Sequence, residues 1–124
     1  MTLAQLFKNL IGVALGGLSQ VQENVNALGS VSGNQSIDLS LGNVVTATVA
    51  GSGTWTIINP AASGKCSTVT FILTNAGTQI TWATVPKWAG GAPPVLSAAG
   101  VDIVILTTVD GGTTWYGSTV LALA

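Results

Sequence analysis

The chain has 124 residues, enough for one domain, of which 48% are hydrophobic and only 6% are charged. An average soluble domain is about 25% charged, so the ionic surface is unusually small. The chain has no histidine and no arginine, and its formal net charge is −1. This composition argues against nucleic-acid binding, against a metal site or cofactor, and against nearly all enzymatic acid–base chemistry. We therefore expect a protein that is not an enzyme.

The low charge itself needs an explanation. Disorder is disfavoured because the mean hydropathy is +0.62. A membrane span is disfavoured because the longest apolar run, Leu10 to Leu18, is far shorter than the about 20 residues that a spanning helix needs. The remaining explanation is assembly, in which a neutral surface rich in Thr, Ser and Gly is buried against other copies of the chain.

The N-terminal segment, residues 1–28, has apolar residues at spacings of three and four and is predicted to be helical. Gly16-Gly17 predicts a kink or break within it. The broad apolar stripe suits three packed helices or one helix that lies in a groove. Such a helix would serve oligomerisation or docking on a virion. The alternative is a helix that packs on the chain's own sheet. The predicted oligomerisation seam consists of Phe7, Ile11, Ala14, Leu18, Val21, Val25 and Leu28. Residues 29–35 are predicted to form a linker.

Residues 36–124 show period-two alternation and turn signals that predict about seven short strands. Turns are expected at Gly42-Asn43, Asn75–Gly77 and Asp110–Gly112, the last two closing hairpins. Val101 to Val109 is predicted to be a central strand covered on both faces. The fold class expected is mainly β, an antiparallel, jelly-roll-like sandwich preceded by the helical segment. The stretch from Pro86 to Gly100 is too long for a tight turn.

No catalytic constellation emerges from the titratable residues. Asp102 and Asp110 lie about 26 Å apart along one strand, so they cannot flank one glycosidic bond within a chain. We interpret Asp110 as a turn residue, and Asp38 and Asp102 as solvent-facing or hydrogen-bonded at strand starts. Cys66 has no base partner and is interpreted as a small core residue.

The aromatic residues offer candidate ligand contacts. Trp55 and Trp82 are expected in the core. Adjacent strand residues face opposite sides, so one of Trp115 and Tyr116 must face solvent, an interface or a ligand. Trp88 lies beside Lys87 in the long loop, where its ring either stacks on a sugar or tucks the loop onto the sandwich. The candidate ligand-contact residues are Lys87, Trp88, Trp115 and Tyr116.

About two-thirds of the chain resembles a known β domain. The similarity is carried by residues 36–43, Asn59-Pro60 and Pro86–Trp88, and most specifically by residues 100–117, which end in Asp-Gly-Gly-Thr-Thr-Trp-Tyr-Gly. These resemble a β domain of tailed-bacteriophage fibre and virion structural proteins. The resemblance implies a homotrimeric structural protein of the virion, assembled in the host cytoplasm.

Two main functions follow from the resemblance. The first is a trimeric tail-fibre-tip protein that binds a host-surface glycan, and the second is a capsid decoration protein that stabilises the head. In both, the N-terminal helix would contact other virion proteins. A pilin-like secreted subunit is a distant third hypothesis. Hundreds of copies per particle would indicate decoration, whereas a few dozen at most would indicate a fibre.

Overall fold

The computed structural model describes residues 2–7, 9 and 20–124 of the chain. Residues 3–7 are helical, and the remaining regular structure is β. The eight strands, in chain order, are β1 (Val25–Val31), β2 (Gln35–Asp38), β3 (Val44–Val49), β4 (Gly53–Ile58), β5 (Ser67–Thr74), β6 (Ile80–Trp82), β7 (Val101–Thr108) and β8 (Tyr116–Leu123). Short 3-10 turns occupy Leu39–Leu41 and Ala89–Gly91.

Successive strands alternate between two sheets. The five-stranded sheet has the order β1-β3-β5-β7-β8, and the three-stranded sheet has the order β2-β4-β6. Strands β1, β3 and β5 are parallel to one another, and so are β2, β4 and β6. The first six strands therefore wind as three coils of a short two-sheet β-helix, and β7 and β8 add antiparallel strands to the larger sheet.

The mainly β prediction is confirmed, but the antiparallel, jelly-roll-like form is not. Antiparallel pairing occurs at β5–β7 and β7–β8, whereas the other four strand pairs are parallel. The turn at Asn75–Gly77 does not close a hairpin, because it leads from β5 to β6 in the opposite sheet. The turn at Asp110–Gly112 does close the predicted hairpin, between β7 and β8.

The helix predicted through residue 28 is wrong at its C-terminal end. Val25 and Leu28 lie in β1, which pairs with β3 because a β-helix coil needs an extended segment there. The predicted linker is also wrong in part, since residues 29–31 belong to β1 and Gln35 begins β2.

Both sheets contribute to one core. The rings of Trp55 in β4, Phe71 in β5 and Trp82 in β6 pack together, with centroids 5.3 to 6.2 Å apart. Trp55 is buried, as predicted, and Trp82 is half-buried and packs against the core. Val101–Thr108 is buried on its inward side only, so the expectation of cover on both faces is wrong.

Close approach between coils explains one glycine. A Cβ on Gly53, the first residue of β4, would overlap the carbonyl of Gly33, which precedes β2 in the neighbouring coil. Next to this corner, the Asn34 side-chain oxygen accepts a hydrogen bond from the Thr54 N–H at 2.9 Å. The hydrogen bond joins the first coil to the second. Only glycine fits at position 53, because the two backbones lie so close together there.

Candidate functional site

The long loop between β6 and β7 is fixed to β8 by its backbone. The Lys87 N–H donates to the Trp115 carbonyl at 2.7 Å, and the Gly117 N–H donates to the Lys87 carbonyl at 3.0 Å. These bonds form a parallel bridge between Lys87 and Tyr116. Three of the four candidate residues, Lys87, Trp88 and Tyr116, are therefore brought to one place beside β8.

The Trp115–Tyr116 pair obeys strand alternation. Trp115 is 2% exposed and packs in the core, whereas Tyr116 is 53% exposed. The proposal of Trp115 as a ligand contact is therefore wrong, because its ring fills the space between the sheets. Tyr116 and Lys87 remain on the surface, where a partner or ligand can reach both side chains.

Trp88 is half-buried and packs against the core. Its ring lies over Gly117, where a Cβ would come within 2.8 Å of Trp88 Cη2 and closer still to Cζ3 and Cε3. Glycine in a strand often marks such a close approach, but sequence reasoning missed this signal at Gly117. The Trp88 ring therefore holds the loop against the sheets, and the rest of the ring's surface lines two clefts.

The first cleft has a volume of about 280 Å³ and a mainly apolar wall. Besides Trp88 it is bordered by Trp82, Pro93, Pro94 and Val95. Trp88 thus connects the loop's proline pair with the aromatic cluster of the core.

The second cleft, which we call the Trp88 cleft, has a volume of about 360 Å³, within the range of small-ligand sites. Its walls combine an aromatic ring, small apolar groups and two hydroxyl-bearing residues. It is lined by Trp88, Ala89, Ala92, Pro94, Gly117, Ser118 and Thr119. None of these side chains is charged, so the cleft suits a neutral ligand that stacks on the ring and hydrogen-bonds to hydroxyls. Sequence reasoning missed Ser118 and Thr119, since nothing in a Ser-Thr pair distinguishes a cleft from an ordinary strand surface.

The Trp88 indole nitrogen has unusual surroundings. Among the described residues, Nε1 is the buried side-chain nitrogen or oxygen atom that has no hydrogen-bond partner. Leaving a buried donor unpaired costs about 1–3 kcal/mol, so such groups call for an explanation.

Three aspartates stabilise turns and strand ends. The buried Asp102 carboxylate accepts hydrogen bonds from the Ser97 N–H, the Ser97 hydroxyl at 2.9 Å and the Ala122 N–H at 2.7 Å. Burial alone would raise the pKa of Asp102, but the bonds from Ala122 and Ser97 outweigh it and hold the pKa below its ordinary value. Asp102 therefore ties the end of the long loop to β8.

Asp110 and Asp38 serve comparable roles in turns. The Asp110 carboxylate accepts the Thr114 N–H at 2.8 Å and the Thr108 hydroxyl at 2.9 Å, and the Thr114 bond is the main cause of its lowered pKa. The Asp38 carboxylate accepts from the side chain of Asn59 at 2.8 Å and from Ser40, and these bonds likewise lower its pKa. The interpretation of Asp110 as a turn residue is confirmed.

The residues of the predicted oligomerisation seam lie in different parts of the structure. Phe7 is an exposed helical residue, Val21 is exposed ahead of β1, and Val25 is exposed in β1. Leu28 packs against the chain's own core, so its assignment to a helical seam is wrong. Ile11, Ala14 and Leu18 lie outside the described residues.

Cys66 departs from its expected role as a small core residue. The thiol is free and exposed just before β5, because the burial alternation of that strand begins only at Val69. Elsewhere in the described chain, no group of three metal-ligating side chains occurs. No helix among the described residues is long and apolar enough to cross a membrane.

Comparison of the chain with protein-family models, with curated proteins and with solved structures found no match. Any assignment of function therefore depends on the chemistry of the site and on the resemblance noted from the sequence.

Proposed function

We propose that the chain is a structural protein of a bacteriophage virion and works as a homotrimeric tail-fibre-tip protein that attaches to a neutral glycan of the host surface. The observation that carries the attachment role is the Trp88 cleft, an uncharged aromatic site with the Thr119 hydroxyl on the same side of β8 as the Trp88 ring. The resemblance of residues 36–124 to phage fibre domains supports the virion role.

Neutral stacking suits this protein. The chain has no arginine, and none of the residues that line the cleft is charged, so the cleft itself offers no ion pair to a charged polysaccharide. A sugar ring stacked on Trp88 would place its hydroxyls near Thr119, whose side chain lies on the same side of β8 as Gly117 and can both donate and accept hydrogen bonds. A single site of this kind has an affinity near ~1 mM, and repetition across three chains and several fibres raises the total.

The test removes the Thr119 hydroxyl while preserving shape. In virions carrying Thr119→Val, the lost hydrogen bond is worth about 1 kcal/mol, so the affinity of each site should fall roughly fivefold and fewer particles should adsorb. The matched control is Thr56→Val, at an exposed threonine of the three-stranded sheet. Adsorption should be unchanged in the control, and both proteins should keep the wild-type Tm. Equal adsorption by both variants would contradict glycan binding in this cleft.

A capsid decoration protein is the second candidate, favoured by the packing of Trp88. Its ring lies on Gly117 and against the core, as expected of a residue that only secures the loop. Suppose Trp88→Ala lowers the Tm by several degrees while surviving particles adsorb normally. Decoration would then become the preferred function, with the N-terminal segment contacting the capsid.

A further inference from the structure

The outward face of the five-stranded sheet is uncharged. In β3, β5 and β7 alternate residues are buried, so the intervening residues face away from the core. This outer face consists of every second residue from Val44 to Thr48, from Thr68 to Thr74 and from Val101 to Thr107, with their neighbours in β1 and β8. All of these are threonines or aliphatic residues on the three central strands.

A mainly apolar row crosses the whole outer face. Strand register places Ala27, Thr46, Ile72, Ile103 and Val120 side by side, one from each of the five strands. Ile72 and Val120 are 36% and 50% exposed. Such a continuous, solvent-facing row on a wide sheet is typical of a surface that is covered in the working assembly.

The outward side of the three-stranded sheet provides an internal comparison. It is narrower and presents mainly hydroxyls, including Ser36, Thr56 and Thr81, with Asp38 at its end. The charged side chains among the described residues lie in turns, in loops, on this smaller sheet or, for Asp102, in the interior. The outward side of the smaller sheet thus carries one charge, at Asp38, whereas the larger outer face carries none.

The outer face has a hollow on one side and projecting side chains on the other. A shallow hollow of about 210 Å³ lies on the β1 side, between the small residues Ala27 and Gly29 and the side chains of Thr48 and Ile72. On the opposite side, β8 carries the exposed side chains of Tyr116 and Val120. The β8 side of one copy can therefore enter the hollow of another, while a neutral face does not repel its own copy and threonine hydroxyls can pair with one another.

We propose that the outer face of the five-stranded sheet is buried against the same face of further copies of this chain. The inference rests on the homotrimer in the proposed function and names the surface that forms it. Five strands about 4.8 Å apart and about eight residues long span roughly 600 Å² per copy. In the trimer each copy would bury up to this area, shared between its two neighbours, compared with about 500 Å² per partner in the smallest specific interfaces.

The experiment compares one substitution on the two sheets. Thr48→Lys in β3 puts a charge on the outer face, whereas Thr56→Lys in β4 puts the same charge on the smaller sheet; both threonines are exposed. By light scattering at micromolar concentration, Thr48→Lys should have the 12.4 kDa mass of one chain, and Thr56→Lys should retain the wild-type assembly. Val120→Lys, at the opposite side of the outer face, serves as a second variant if Thr48→Lys does not fold.

The outcomes separate the interface from the attachment role. Wild-type mass in folded Thr48→Lys and Val120→Lys proteins would overturn the interface, and so would a monomeric wild-type protein. Adsorption that still depends on Thr119 would then leave host attachment standing. Conversely, dissociation by Thr48→Lys with no adsorption defect in Thr119→Val would keep the interface and remove the glycan site.

Discussion

Gly117→Ala tests how Trp88 is held. The new methyl group would lie within 2.8 Å of Trp88 Cη2 and closer to two other ring carbons, whereas ordinary contact begins near 3.4 Å. Gly117 is not among the residues with positive φ, so alanine adds no backbone strain there. The ring must therefore retreat by about 1 Å, which loosens the loop that it fastens.

The expected magnitude follows from overpacking. Forcing one methyl group into a closely packed contact costs about 1–3 kcal/mol, which lowers the Tm of a domain of this size by roughly 4–12 °C. Chemical denaturation should give the free-energy loss directly, and near-ultraviolet circular dichroism should report the displaced indole.

A double-mutant cycle isolates the cause. In the Trp88→Ala background the space above residue 117 is open, so adding Gly117→Ala should cost less than about 0.5 kcal/mol. An equal loss of stability in both backgrounds would refute the account, because the cost would then arise from the strand itself and not from the indole ring.

Further predictions concern the carboxylates and the thiol. Asp102→Asn leaves at least one hydrogen-bond donor of Ser97 or Ala122 unpaired, so it should lower the free energy of unfolding by about 1–3 kcal/mol. By comparison, Glu23→Gln at an exposed position should change the free energy of unfolding by less than about 0.5 kcal/mol. The pKa values of Asp38, Asp102 and Asp110 lie below their ordinary 3.8, so their stabilisation is complete above about pH 5 and is lost as the pH falls through the folded values. Thermal melts from pH 7 to pH 2 should show a falling Tm only below about pH 4, and a flat profile would contradict this. The exposed thiol of Cys66 should react with a disulfide reagent in the native protein as fast as in the unfolded chain, and strong protection would place it in the interior.

The sequence predicted the positions of the strands better than whether neighbouring strands run parallel or antiparallel. β3, β4, β6 and β7 lie where alternation and turn signals placed strands, because inward burial imposes period two on any sheet. Alternation is the same in parallel and antiparallel sheets, and turn-sized loops serve β-helix corners as well as hairpins. The alternating use of two sheets was therefore not visible in local patterns.

The misplaced boundary of β1 has a related cause. Val25 and Leu28 fit a heptad spacing, but in β1 a register shift between Ala27 and Gly29 turns Leu28 toward the core. A bulge thus imitates helical spacing over a few residues. A deletion of residues 1–28 would remove four of the seven residues of β1. A truncated chain that keeps both sheets intact should therefore start at residue 24 or earlier.

The candidate site was only partly predictable. Alternation correctly required Trp115 and Tyr116 to face opposite sides, but which one faces inward depends on the pairing of β8 with β7. The location of Trp88 depends on the bridge from Lys87 to Tyr116, a contact between residues distant in the chain that no local pattern encodes.

The most direct test of the virion role is imaging of phage particles labelled with an antibody against this chain. The account predicts label at the tail tip, with a few dozen copies at most per particle. Label spread over the head in hundreds of copies would establish decoration in its place. Purified particles that carry no label at all would contradict the virion proposal.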